Sequence, residues 1–545
     1  VTAPPGYPRA GRRARLSLRD TEPGTDPGGG EDGLAAGEVA SPDEQNGRLL
    51  PGRVDADRSA PAAAAVAAGQ RRRRRAALLG RRAAARSWLA THPAWPVTAL
   101  LGGYPLWWAL GFGDYSFILF AIPMAARMYA WHTHKARRLR APSGFGLWAL
   151  FLICVIAGGT VLTLTAPGTI PTPVSNRVLS YAIRTASYLA VTVLLLYVGN
   201  LTERELPRRR IAWLLGLVGL YTVAGGLAGM VDPGFRFSSP VLLALPHSAQ
   251  SNLFVQAQAR PSLAQVQDVL GVPQGRPDAP FAYTNTWGNC LALLLPWLIA
   301  AWFIRGTHRQ RLISGAALVV VLVPIVYTLD RGLWIALIFS VLYLSVRLAA
   351  RGRVGLLGSI CVLLVILGAV VLASPLQNVI SQRLSHGKSD AHRASLAIAA
   401  TRDAEASPII GYGDTRHQQG SVTSIAVGKT ASCKQCGQVT VGNNGQLWLL
   451  FITNGFVGAA LYVAFFGYGV WRYRRDRTPY GLAGILTLLL SFTFMISYDA
   501  VVAPLGFTML AYALLWRGDQ AAQQDAAASG KKGIRWPART PSLQA

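Results

Sequence analysis

The sequence predicts an all-α polytopic membrane protein of about twelve transmembrane helices with one large outer loop. Three observations lead there. Hydrophobic residues make up 51% of the 545 and charged ones only 14%. Apolar runs long enough to cross a hydrocarbon layer of ~30 Å recur from Val97 to Trp516. Between these runs the basic residues gather in short clusters that alternate with connectors poor in Lys and Arg, the bias of cytoplasmic loops. One large soluble core is excluded, because the runs are too long and too nearly uncharged.

A formal charge of +28 invites a nucleic-acid reading, and its distribution removes that reading. The clusters are His134-Lys135-Ala136-Arg137-Arg138, Arg208-Arg209-Arg210, 305–311, 351–353 and 472–477, each between apolar runs. Arg71 to Arg75 precedes the first run and is expected to hold the N-terminal side in the cytoplasm, against anionic membrane lipids. No nucleic-acid partner is expected.

Residues 1–90 are rich in Pro, Gly, Ala, Asp and Arg without apolar periodicity, and read as a disordered basic cytoplasmic tail. Residues 1–50 contain no apolar signal-peptide core, so the first span is expected to serve as the targeting signal. The membrane domain covers 91–516, with spans at 97–112, 115–131, 146–164, 179–199, 211–231, 282–304, 312–329, 333–349, 355–373, 446–470, 480–497 and 500–516. Twelve spans with both termini inside place every Arg-rich connector in the cytoplasm; an odd number breaks that agreement. Two outer segments are then long, 232–281 and 374–445. In the first, Leu263, Val266, Val269 and Leu270 share a helical face, suited to lying on the membrane or to packing in an ordered loop. Residues 517–545 read as a second disordered cytoplasmic tail.

Several polar residues stand where chemistry is possible. Asp330-Arg331-Gly332 occupies a tight outer turn, where Gly turns and Asp pairs with Arg; the same Arg offers a planar fork suited to phosphate. Arg393 begins a helix that ends near Pro408, followed by Gly411-Tyr412-Gly413-Asp414, a sequence that allows a sharp turn. Arg383, Lys388, His392, Arg416 and His417 make this loop cationic, either as a solvated face or for an anionic ligand. Arg184 lies near the outer end of a span, placed to snorkel or to face a wet cavity. Asn285 and Asn289, one turn apart, could line that cavity or bond neighbouring helices. Cys433 and Cys436 lack the second ligand pair of a zinc ribbon and are read as a disulfide outside the cytoplasm. No phosphate-cradling Gly-rich loop followed by Lys and Ser or Thr occurs, which removes the usual energy source of a primary pump.

Four stretches resemble the O-antigen ligase and polymerase family of bacterial membrane glycosyltransferases. They are Phe281 through Asn285 to Asn289, Asp330-Arg331-Gly332-Leu333-Trp334, Arg393 through Pro408 to Gly413, and Gly442-Asn443-Asn444-Gly445-Gln446 followed by Gly455 and Gly458. Together they span 281–458 in the family's order. The resemblance implies a GT-C-like helical fold and transfer of a glycan from a polyprenyl diphosphate to an acceptor sugar at the outer face of the cell membrane, with no cofactor and no metal. It gives Arg331 and Arg393 the donor diphosphate; Arg184, Asn285, Asp330, Arg383 and Arg416 are expected, from their own placement, as further substrate contacts. The family commonly carries His-Asn at the loop's end, and this chain has Asn444 there. Asn444 then orients the acceptor while His417, Asp390 or Asp414 takes its proton, or the protein is a non-catalytic assembly factor. The alternative from another class is a transporter or flippase of an amphipathic or lipid-linked substrate; no internal repeat supports it.

Overall fold

Each predicted apolar run lies in helix, and several helices are interrupted at Gly or near Pro. The computed structural model describes residues 92–528, apart from 136, 251–252, 269–272, 353, 374–375, 386–387 and 420–437. The N-terminal tail, Cys433 and Cys436 therefore lie outside the described residues. So do 529–545 of the C-terminal tail.

The first run is two helices, α1 (Trp95–Gly102) and α2 (Tyr104–Leu110), parted at Gly103 with Pro105 in the first turn of the second. Then come α3 (Ser116–Thr133), α4 (Phe145–Ala157), α5 (Val174–Asn200) and α6 (Arg208–Val231). The segment before the next long helix carries short helices α7 (Pro240–Ala244), α8 (His247–Gln250) and α9 (Leu253–Ala259). Next are α10 (Thr284–Trp297), which loosens into a π turn to Ile304, and α11 (His308–Val320). α12 (Leu322–Tyr327), α13 (Arg331–Ala349) and α14 (Val354–Leu372) follow. The long segment after α14 holds α15 (Leu376–Ser385) and α16 (Lys388–Ala406), before α17 (Gln446–Tyr473), α18 (Pro479–Met495) and α19 (Ala503–Ala528).

Among the described residues, six helices are long and apolar enough to cross a membrane: Val174–Asn200, Arg208–Val231, Thr284–Ile304, His308–Tyr327, Arg331–Ala349 and Gln446–Tyr473. Their surroundings differ. α19 is buried on every side from Ala503 to Arg517, against α5, α10 and α18, as expected of a helix apolar all round. α13 instead exposes Ile335, Ile338, Leu342 and Val346 along one face, a stripe that water disfavours and lipid accepts.

The Arg-rich connectors meet one another. Arg137 binds Glu205 at 2.8 Å, Arg208 and Arg517 both reach Glu203 at 2.9 Å, and Arg472 reaches Asp519 at 2.6 Å. Arg347 donates to Arg474 O at 3.0 Å and Arg351 to Arg477 O at 3.0 Å. One end of the bundle thus gathers connectors that are far apart in sequence.

Two expectations change. The stretch around Leu263 and Val266 is not helical: β1 (Ala264–Asp268) pairs antiparallel with β2 (Pro273–Pro277), Val266 opposite Gly275. Apolar spacing over so few residues fits either period, and pairing with a strand ending in Pro277 decides it. The C-terminal tail is also not irregular from 517, because α19 continues to Ala528. Arg517 is buried there, donating to Leu206 O at 2.7 Å as well as to Glu203.

The segment between α14 and α17 packs on α17 through a small core of Ala166, Leu396, Ala400, Tyr412, Val441 and Ile452. It also carries a hairpin, β3 (Arg416–Gln419) with β4 (Gln438–Val441). α17 breaks at Gly455, whose φ of 65° is left-handed. The amides of Tyr412 and Gly413 take up the freed carbonyls of Ile452 and Thr453 at 2.8 and 3.0 Å. Gly411 and Gly413, at φ 69° and 72°, allow this approach.

Candidate functional site

The turn between α12 and α13 is the centre of the site. Helix ends leave carbonyls without intrahelical donors, and cations favour that end. Here arginines fill the need. Arg276, on β2, donates its Nε to Thr328 O, and Arg383, on α15, donates its Nε to Leu329 O at 2.9 Å. Asp330 then caps α13, accepting from Leu333 N at 3.0 Å. Asp330 is 1% exposed.

Two more contacts close the site from above. Tyr498, between α18 and α19, donates its hydroxyl to Asp330 Oδ1. Arg393, on α16, lies over the Tyr498 ring with its guanidinium 5.2 Å from the centroid, and donates to Ser497 O at 3.3 Å. Gly332 is required for this closeness, since a Cβ there would stand 2.6 Å from the Tyr498 ring. Arg331, the first residue of α13, completes the group. Arg276 also reaches Gln267 and, at 3.3 Å, Asn285 Oδ1, which places Asn285 beside the cluster.

Four guanidinium groups thus lie within one another's fields, and two of them, Arg276 and Arg393, act on the Asp330 carboxylate. Burial, followed by the repulsion of Arg331, Arg276 and Arg393, pushes Arg383 down to about 10. Burial also lowers Arg276, with Asp330 opposing and Arg393 adding to the effect. Arg383 stays charged at neutral pH. Burial raises the Asp330 carboxyl, against its bonds to Tyr498 and Leu333 and the fields of Arg276 and Arg393. Positive charge held together this way is relieved by an incoming anion.

Asn444 joins the cluster from α17's side: its Nδ2 donates to Arg393 O at 3.1 Å. The remaining expected residues lie elsewhere. Arg184 does not snorkel; it pairs with Asp414 at 2.9 Å, tying α5 to the segment between α16 and α17. Arg416 is fully buried and its guanidinium is engaged by main-chain carbonyls, those of Asp414 at 2.9 Å, Leu164 at 2.9 Å and Tyr412 at 3.0 Å. The expected substrate contact at Arg416 is corrected to a brace for the loop. His417 Nδ1 lies 3.1 Å from Thr440 Oγ1, and its backbone bridges to Ile170. Burial holds its imidazole below the usual range, so it is neutral at pH 7. Asp390's side chain lies outside the described part of the structure.

Sequence reading missed Arg276, Tyr498 and Asp499. Arg276 carried no local signal, being one Arg in a Pro- and Gly-flanked stretch. Tyr498 and Asp499 had one: like Asp330 and Arg331, they are polar residues in a very short turn between apolar runs. Compared with family models, with curated proteins and with solved structures, the chain gives no match.

Proposed function

We propose that the protein is a membrane glycosyltransferase that moves a glycan from a polyprenyl diphosphate to an acceptor sugar at the outer face of the cell membrane, as a surface-polysaccharide polymerase or ligase. The supporting observation is the gathering of Arg276, Arg331 and Arg393 around Arg383, with Arg276 and Arg393 also acting on the carboxylate of Asp330. A diphosphate brings the negative charge that this group lacks. As the glycosidic bond to phosphate breaks, more charge develops on the leaving oxygen, and preorganised guanidinium groups stabilise it most at that moment. The donor is already activated, so the reaction calls for no nucleotide and no cofactor.

A GT-C-like twelve-span arrangement, with both termini and the Arg-rich connectors in the cytoplasm, puts the turn at 330, the segment 374–445 and the turn at 498 on the outer face. There a lipid-anchored diphosphate reaches the arginines from the membrane while the acceptor arrives from outside. The order of the family-like stretches supports the same reading.

The test is replacement of Arg276, Arg331 or Arg393 by Ala in the native host, followed by analysis of polyprenyl-linked glycans and surface polymer. Properly inserted variants are expected to accumulate the lipid-linked donor and lose polymer. Unchanged polymer overturns the proposal, and movement of the lipid-linked glycan across liposomes without covalent change replaces it with transport.

A further inference from the structure

Among the described residues, two oxygen acceptors stand without donors in one corner beside the arginine cluster, which itself holds a third at Asp330 Oδ2. Asn444 uses its Nδ2 on Arg393 O, which leaves its Oδ1 buried and unbonded. Asp499 accepts from the amide of Gly445, the residue after Asn444, and its Oδ1 is likewise buried and unbonded. Buried acceptors are ordinarily satisfied, so this pair fits a ligand that brings hydroxyl donors.

The corner is rigid. Gln446 accepts from Ala500 N at 3.0 Å, donates through its own amide to Tyr498 O at 3.0 Å, and donates through Nε2 to Tyr188 Oη at 3.0 Å. Asp499 is therefore held between two residues fastened to the same glutamine. The charged and titratable groups that face it are Arg184 and Tyr188 on α5 and Tyr283 ahead of α10. Arg184 is shared with Asp414. Of the other described candidate bases, Asp414 pairs with Arg184 and His417 lies in the β3–β4 hairpin, while Asp330 gives Oδ1 to its helix cap and Tyr498 and keeps an unbonded Oδ2 in the field of Arg276 and Arg393, on the leaving-group side.

We propose that Asp499 is the general base of the reaction, taking the proton of the acceptor hydroxyl while Asn444 Oδ1 orients the acceptor sugar by accepting from a second, neighbouring hydroxyl. The assignment rests on the glycosyl-transfer reading above. The acceptor oxygen forms a bond to the anomeric carbon, and the bond from that carbon to the diphosphate oxygen breaks. The electron pair leaves with the polyprenyl diphosphate, held by the arginines, and the acceptor's proton passes to the Asp499 carboxylate and then to water. Tyr498 faces the arginines and Asp499 faces the acceptor corner, so adjacent residues serve the leaving group and the nucleophile. Burial, opposed by Arg184 and the Gly445 amide, raises the Asp499 carboxyl to about 7, suited to a base working near neutral pH.

The test uses membrane vesicles from the deletion host carrying each variant, with their own lipid-linked glycan and acceptor, and follows release of polyprenyl diphosphate between pH 5 and 9. Wild type is expected to rise with pH through about 7. Asp499→Asn is expected to lose ~10²–10⁴-fold in rate while purified protein still binds inorganic pyrophosphate as wild type does. Asp499→Glu is expected to keep activity with a displaced pH midpoint. Wild-type rates in Asp499→Asn, or an unmoved midpoint in Asp499→Glu, overturn the assignment; if Arg393→Ala is inactive in the same vesicles, the transferase reading survives without it. No release by wild type removes both. Loss of pyrophosphate binding in Asp499→Asn makes Asp499 a structural residue and also overturns the assignment.

Discussion

Tyr498 donates its hydroxyl to Asp330 Oδ1, joining the short turn before α13 to the short turn before α19 across 168 residues. The same ring carries the Arg393 guanidinium. Tyr498→Phe keeps the ring and removes the donor. We expect a loss of about 1–3 kcal/mol, seen as a lower unfolding temperature in detergent, with pyrophosphate binding reduced less than in Tyr498→Leu, which loses the ring as well.

Arg276 makes its three side-chain bonds through a planar fork, to Thr328 O, Gln267 and Asn285. Lys keeps the charge and not the fork. Arg276→Lys is therefore expected to weaken pyrophosphate binding by roughly tenfold, the equivalent of about 1.4 kcal/mol. Calorimetric titration checks it, and unchanged affinity places Arg276 outside the anion site.

The kink of α17 gives a stability contrast within one helix. Gly455 is left-handed, and a Cβ there would meet Pro408 O. Gly467 has open space around its Cβ position. Gly455→Ala is expected to destabilise by at least ~2 kcal/mol, from the left-handed strain and the clash together. Gly467→Ala is expected to be neutral or to stabilise by up to about 1 kcal/mol. Denaturation midpoints of the two variants decide.

Asp278 gives a pH dependence. It is buried, with Ser262 donating to Oδ2 at 2.8 Å, and burial raises its carboxyl to about 7 against the bonds from Ser262 and its own amide. An unfolded Asp titrates near ~3.9, so between these values the folded state holds the extra proton. Its contribution is full below the unfolded value and is lost as pH rises through about 7. Asp278→Asn is expected to flatten the fall in unfolding temperature between pH 5 and 8. A slope equal to wild type removes Asp278 as its source.

The twelve-span arrangement is open to labelling in the native host. Single cysteines at Arg138, Arg309 and Arg477 are expected to react with an impermeant maleimide only after permeabilisation. Those at Ser395 and Ile409 are expected to react in intact cells. Any mixing of the two groups breaks the arrangement.

The sequence by itself determined the helical class and the positions of the apolar helices, and it singled out Arg331 and Arg393 as candidates. Apolar run length and the spacing of Arg clusters are local properties, and a single pass along the chain measures them. It also located the Gly411–Gly413 turn, because only a few residue types accept left-handed backbone readily. Tertiary structure alone decided what those residues touch. Arg276 meets Thr328 across 52 residues, Arg184 meets Asp414 between a long apolar helix and the outer segment, and Arg416 turns inward to carbonyls. Burial made those choices. A guanidinium removed from solvent must find carbonyls or carboxylates, and which ones lie in reach depends on how distant helices pack. The same packing brought Tyr498 and Asp499 to opposite duties in one turn, where the sequence showed only two polar residues between apolar runs.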